Sequence, residues 1–252
     1  MKRAFVSDIH GNYAAWRAVA ADIDAQGVDE TLCLGDTVGY GPQPCDCLTL
    51  VRRRCGIVLL GNHDMAAVNP AKAGSFVSYA AKAIDWTRAQ LLADSSTDHV
   101  GYLQGLKPSY RKGDLLFVHG SPRDPLEEYA FPEDVFNRPA KIEDIFAHFD
   151  HLAFNGHTHV PGIFVEEQRG YTFIRQKLVP KGYKLEPGQK ALINVGSVGQ
   201  PRDGDTTACY LIFEDDQLTY RRVPYDVQET AKLIRGIPEL ADKLADRLEK
   251  GA

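Results

Sequence analysis

The sequence predicts an α/β layered fold on three observations: short aliphatic runs without polar alternation, helix-period segments between them, and a polar cluster closing each run. AFVSDIH (4–10) opens the pattern and ends in Asp8 and His10. NYAAWRAVAADIDAQG follows as a helix, with Asn12 as its N-cap, apolar residues at Ala15, Val19 and Ile23, and Gly27 as its stop. TLCLGD (31–36) ends in Asp36, and GIVLLGNHD (56–64) ends in Asn62, His63 and Asp64. A helical insertion is expected at about 66–107, where SFVSYAAKAIDWTRAQLL repeats apolar residues at helical spacing from Ser75 through Trp86. LLFVHG (115–120) ends in His119, and KIEDIFAHF (141–149) forms a helix before LAFNGHTH (152–159), which closes on His157 and His159.

Beyond residue 160 the pattern turns to strands: GIFVEE, YTFIRQKLV, ALINVGSVGQPRDG, and CYLIFEDDQLTYRRV, whose halves form a hairpin about a Glu-Asp-Asp-Gln turn. A single helix is expected from Val227 to about Leu248. With no linker composition and no internal repeat, the 252 residues read as one domain holding two sheets.

A chain that is 44% hydrophobic and 25% charged can bury a large core. Its net charge of -5 argues against an electrostatic footprint for long nucleic acid or an anionic membrane, so a small partner is expected. Met1-Lys2-Arg3 leads straight into a strand, with no signal-peptide core, and no stretch reaches membrane-span length; the expected location is cytoplasmic. The odd count of five cysteines fits reduced thiols there. Cys45 and Cys47 form C-x-C, but buried or idle thiols are the expected reading for all five.

In α/β sheets the ligand site lies beyond the carboxyl ends of the strands, where all five polar clusters fall. Any one of them has a local explanation: an aspartate serves as a turn residue or N-cap, and a lone histidine is commonly structural. Four histidines, two aspartates and an asparagine at five such ends, with Gly35, Gly61, Gly120 and Gly156 allowing close backbone approach, point instead to one chemical site.

These blocks resemble the calcineurin-like metallophosphoesterases, whose motifs D-x-H, G-D, G-N-H-D/E, H and G-H-x-H stand here as Asp8-Ile9-His10, Gly35-Asp36, Gly61-Asn62-His63-Asp64, His119 and Gly156-His157-Thr158-His159, in family order. The resemblance implies a four-layer αββα sandwich of two mixed sheets flanked by helices. It implies one metal held by Asp8, His10 and His159, a second held by Asn62, His119 and His157, and Asp36 bridging both. It also implies attack on phosphorus by a metal-bridging hydroxide, with His63 stabilising the transition state or protonating the leaving oxygen and Asp64 orienting His63. The imidazole-rich ligand set suits manganese, iron, zinc or cobalt better than calcium or magnesium, and the resemblance implies manganese first. The implied activity is hydrolysis of a small phosphodiester or nucleotide, possible diadenosine polyphosphates included; a phosphomonoesterase and a non-catalytic scaffold of the same fold are the alternatives.

Weaker signals lie around these blocks. GSVGQPRDG (196–204) follows a strand, and its Arg202 is expected to pair with a substrate phosphate. GYGPQP (39–44) follows Asp36 and is expected to carry Tyr40 on a substrate-facing rim. GDTVGYG lacks the Asp and Arg that protein serine/threonine phosphatases carry in the matching block, which argues against a phosphoprotein substrate and against symmetrical cleavage of diadenosine tetraphosphate; an asymmetrically cleaved diadenosine polyphosphate remains. Segment 121–139 holds Arg123, Tyr129 and Phe131; the two rings could stack on a nucleobase, and ordinary packing is the expected reading for each.

Overall fold

A computed structural model describes residues 1–74 and 76–252. In chain order its first half holds β1 (Arg3–Val6), α1 (Tyr13–Ala25), β2 (Glu30–Cys33), α2 (Pro44–Arg54), β3 (Ile57–Val58), α3 (Asn62–Val68), α4 (Pro70–Ala73), α5 (Ser78–Ala93), α6 (His99–Gln104), β4 (Ser109–Lys112) and β5 (Leu115–Val118). The second half holds α7 (Asp134–Asn137), α8 (Pro139–Ala147), β6 (Leu152–Asn155), β7 (Gly162–Glu167), β8 (Gly170–Arg175), β9 (Tyr183–Lys184), β10 (Ala191–Asn194), β11 (Ala208–Glu214), β12 (Gln217–Val223), α9 (Val227–Arg235) and α10 (Asp242–Lys250).

Two six-stranded mixed sheets result, ordered β3-β2-β1-β11-β12-β9 and β4-β5-β6-β10-β7-β8. Side chains alternate across each strand, so every strand of the sandwich serves two layers. Phe5 of β1, Leu211 of β11, Phe154 of β6 and Ile193 of β10 point between the sheets, and the rings of Phe5 and Phe154 stack at 4.4 Å. Ala4, Val6, Tyr210 and Ile212 point outward and meet Trp16, Val19 and Ile23 of α1. On the far side Ala153 and Leu192 meet Ile142, Ile145 and Phe146 of α8. The four layers expected from the sequence are therefore present, and the central strands β1, β6, β10 and β11 are buried on both faces, whereas β3 and β8 at the sheet edges are half-buried.

Local chemistry sets the helix ends. Asn12 accepts from the Ala15 N–H at 3.2 Å and starts α1 as expected. Pro44 occupies the first turn of α2, with Asp46 beside it and Arg52, Arg53 and Arg54 at the other end, matching the helix dipole. Asp215 and Asp216 both take left-handed φ (48° and 61°), forming the two-residue turn between Glu214 and Gln217.

Three expectations about boundaries need correction. The single C-terminal helix is two, because Gly236 and Pro238 interrupt it and the halves α9 and α10 fold against each other around Ile234, Leu240, Leu244 and Leu248. YTFIRQKLV pairs only through Arg175 and then turns through a short 3₁₀ segment, Gln176–Leu178. The helix expected to begin at Ser75 starts at Ser78, and Ser75 itself lies outside the described residues. No helix among the described residues is long and apolar enough to cross a membrane.

Parallel pairing places the site. β1, β2 and β3 run parallel in one sheet, and β5, β6 and β10 run parallel in the other. The loops that leave these six strands at their carboxyl ends carry Asp8, Asp36, Asn62, His119, His157 and Arg202.

Candidate metal centre

The strand-end loops are tied to one another by backbone hydrogen bonds before any side chain is considered. Asp8 N–H donates to the Gly35 carbonyl at 3.1 Å, and His10 N–H donates to the Asp36 carbonyl at 2.9 Å. Gly199 N–H reaches the Asp8 carbonyl at 2.9 Å. Asp8, His10, Asp36, His157 and His159 all hold left-handed φ between 49° and 67°. Non-glycine residues pay for that conformation, and a run of them at one place marks a site where side-chain direction outweighs backbone comfort.

The donors gather in two groups that share a centre. His159 Nε2 lies 3.1 Å from His10 Nε2 and 3.2 Å from Asp8 Oδ1, a buried oxygen that accepts no hydrogen bond. His119 Nε2 lies 3.0 Å from His157 Nδ1 and 3.1 Å from Asn62 Oδ1. Between them stands Asp36, whose Oδ2 is 3.3 Å from His119 Nε2 and 3.7 Å from His10 Nε2.

Whether these donors suit a metal can be tested on the opposite ring nitrogens. His10 Nδ1 faces the Val38 carbonyl at 3.2 Å, His119 Nδ1 the Leu34 carbonyl at 3.0 Å, His159 Nδ1 the Gln200 carbonyl at 2.5 Å, and His157 Nε2 the Glu127 carbonyl at 3.2 Å. A carbonyl can only accept, so each of these nitrogens carries the ring proton. The four inward nitrogens then present lone pairs to one another and to two carboxylates. Only a cation or extra protons can hold such a set together, and the residues fit divalent metal.

The electrostatics agree. Burial pushes the Asp8 carboxyl up, but the charges of His159 and His119 hold it well below its ordinary value. Burial pushes the His157 ring down to about 3, with His119 adding to the fall, and drives His10 and His159 down as well.

His63 sits over the first group, its ring 4.8 Å from His10, 4.3 Å from Tyr40 and 4.7 Å from Phe76. It packs so closely on Gly39 that a Cβ there would stand 2.5 Å from His63 Nδ1. Burial first, and then Arg202 against the opposing pull of Asp36, lower the ring to about 4, so it is neutral at physiological pH. Asp64 does not orient it. The Asp64 carboxylate instead accepts from Val38 N–H and Gly61 N–H, each at 3.1 Å, while His63 Nδ1 has no partner among the described residues. Asp64 is the third residue of α3, where a side chain reaches back to cap the helix start, and that pull outweighs a contact with its neighbour's ring.

Tyr40 is also placed differently from expectation. Only 8% exposed, it forms a floor under the Arg202 guanidinium, 5.9 Å from its ring centre, rather than a rim. Arg202 lies over the first metal group, its Nη2 held at 2.7 Å by Gln200 Oε1. The Gln200 carbonyl also anchors His159, so one residue positions a candidate metal ligand and an arginine; it lies inside GSVGQPRDG, the one signal that could have exposed it.

Beside the second group, Asn62, Lys72, Phe76, Glu127 and Tyr129 line a cleft with about 490 Å³ of open space. Tyr129 is not free to stack on a base. One face lies on His157 at 3.7 Å and the other on Phe131 at 5.1 Å. Arg123 is engaged with Glu128 and Asp144 and stays away from the centre.

Comparison with known proteins accords with this geometry. Residues 1–217 match the calcineurin-like phosphoesterase superfamily domain. An uncharacterized protein of Methanocaldococcus jannaschii is 34% identical, the match covering 98% of this chain and 97% of that one. The crystal structure of a metallophosphoesterase from Sphaerobacter thermophilus superposes with a TM-score of 0.82 at 36% identity, with both chains covered in full. A hypothetical protein from Pyrococcus horikoshii shares the fold at 16% identity and a TM-score of 0.75, over 100% of this chain and 98% of its own. The two mixed sheets, the cluster of buried histidine and aspartate side chains and the match along most of the sequence lead to one conclusion: this chain belongs to the calcineurin-like phosphoesterase superfamily, a family of metal-dependent phosphoester hydrolases.

Proposed function

We propose that the chain is a two-metal phosphoesterase acting on small phosphodiesters or nucleotides, diadenosine polyphosphates among them. Asp8, His10 and His159 would hold one ion, Asn62, His119 and His157 the other, and Asp36 both. The observation that carries this reading is the set of four inward imidazole nitrogens with Asp36 Oδ2 between them. The set of imidazoles, two carboxylates and an amide oxygen suits manganese, iron, zinc or cobalt, and manganese is the proposed metal on the resemblance to the family. When bound, such a pair of cations supplies Lewis-acid polarisation of phosphoryl oxygens and a water acidified toward neutral pH.

The chain's own residues divide the remaining work. Arg202, whose Nε and Nη2 both donate to Gln200 Oε1 and which is seated on Tyr40, would offer its remaining Nη1 edge to a phosphate. His63 is neutral and buried, so it acts as a hydrogen-bond donor to the oxygen that gains charge. Asp64 holds the α3 start on which both Asn62 and His63 ride. The cleft beyond Asn62 receives the rest of the substrate. Five cysteines without a disulfide among the described residues support a cytoplasmic location.

The deciding experiment strips the protein of metal, restores manganese, and compares an aryl phosphodiester, an aryl phosphomonoester and dinucleoside polyphosphates. The expected result is manganese-dependent turnover with the diester or dinucleotide preferred, reduced at least about 10²-fold by Asp36→Asn or His119→Ala with folding intact. Unchanged turnover in those variants refutes the proposal, and preference for the monoester replaces it with phosphomonoesterase activity.

A further inference from the structure

Away from the strand ends, Cys45, Asp94 and His99 bring a sulfur, a carboxylate oxygen and an imidazole nitrogen within 4.8 Å of one another. Cys45 lies in the first turn of α2, Asp94 follows the last turn of α5, and His99 opens α6. The His99 side chain is wholly buried; its Nε2 is 2.8 Å from Asp94 Oδ2, while its Nδ1 has no partner among the described residues. Asp94 Oδ1 is held by Ser96 N–H at 3.0 Å and by its hydroxyl at 2.6 Å, which sets the carboxylate in place. The Cys45 thiol makes one weak contact, to the Gln90 carbonyl at 3.7 Å.

We propose that Cys45, Asp94 and His99 bind one zinc ion, separate from the strand-end centre, as a clamp between α2 and the helices α5 and α6.

The donor chemistry favours zinc over manganese, because a thiolate is a soft ligand and the strand-end donors are nitrogen and oxygen alone. Charge is suited to the place: a divalent ion with one thiolate and one carboxylate sums to zero, which a half-buried site tolerates. Without a cation the Cys45 thiol keeps its proton, since burial and then Asp94 and Asp46 push it up to about 11. Binding therefore breaks the S–H bond, forms the zinc–sulfur bond and releases one proton to solvent, with no redox change. Three protein donors leave the fourth tetrahedral position to water on the Asp94 side, where the carboxylate is partly exposed. The surroundings are already ordered, because Leu48 of α2, Leu91 of α5 and Leu103 of α6 share one apolar cluster. The clamp would fix the helical insertion to the outer face of the first sheet.

Cobalt substitution tests the proposal through sulfur. The full chain titrated with Co²⁺ should develop a near-ultraviolet thiolate-to-cobalt charge-transfer band, which the strand-end donors cannot produce. Zinc should abolish the band and manganese should not. Cys45→Ser should lose it completely and His99→Gln should weaken it, with circular dichroism unchanged; Cys45→Ala gives the same reading should serine disturb the start of α2. A wild-type protein with no band at saturating Co²⁺, or a band that survives in Cys45→Ser and Cys45→Ala, overturns the site. No phosphoester is hydrolysed in this assay, so failure of the phosphoesterase reading would leave its outcome untouched.

Discussion

Asp36 Oδ2 stands 3.3 Å from His119 Nε2, with both side chains buried. Burial pushes the imidazole down, yet the charge of Asp36 and the contact between them outweigh it and hold His119 at about 9. In metal-free protein the ring therefore carries a proton at neutral pH that a cation must displace. Metal affinity should rise about tenfold per pH unit until about pH 9 and level off above it. The same raised pKa means that this pair stabilises the metal-free fold fully below about pH 6.5 and that the contribution is lost as pH rises through about 9. Calorimetric metal titrations across that window check the slope. A flat profile would show that no proton is exchanged at His119.

Gly61 is needed for space rather than for its φ of -94°. A Cβ there would meet Asp36 Oδ1 and the Asp36 backbone nitrogen at 2.0 and 2.3 Å, while His63 N–H already donates to that same Oδ1 at 2.8 Å. Gly61→Ala should displace Asp36, weaken metal binding and cost about 1–3 kcal/mol of stability. Thermal unfolding together with metal stoichiometry measures both effects. A variant with wild-type metal content would mean that the loop yields without moving the carboxylate.

Tyr129 backs the ring of His157 at 3.7 Å and is itself backed by Phe131. Such a stack supports a ligand's orientation without touching the metal. Tyr129→Ala should reduce metal affinity about 10-fold or more and leave the fold intact, whereas Tyr129→Phe, which keeps the ring, should remain near wild type. Equal losses in both variants would assign the effect to the hydroxyl instead.

Arg202 combines a fixed guanidinium with an aromatic floor. Lysine supplies the charge but neither the fork nor the stacking plane. Arg202→Lys and Arg202→Ala should both raise KM by about 10-fold or more, with metal content unchanged, because neither substitution removes a ligand. Steady-state kinetics on the preferred diester decide it; an unaltered KM in Arg202→Ala would place the arginine outside the substrate's reach.

Most of the centre was legible before any folding was considered. The α/β layering follows from aliphatic runs that must be buried on both faces, and parallel strands place their carboxyl ends side by side, so the donors at those ends converge. Residue types carried the rest: an imidazole or carboxylate directly after a core strand has little freedom to point elsewhere. The C-terminal segment was less legible, because amphipathic spacing continues across Gly236 and Pro238 although the chain turns there.

Contacts between distant segments lay beyond what residue pattern can express. Asp64 lies next to His63 in the chain yet bonds to Val38 and Gly61. Tyr129 was expected to pack rather than stack on a base, but that its partners would be His157 and Phe131 could not be read from the chain. Cys45 read as an idle thiol until α5 and α6 brought Asp94 and His99 beside it. Burial pattern and residue chemistry are local properties written along the chain, whereas the partner a side chain meets depends on how layers pack, and that is settled only when the whole core closes.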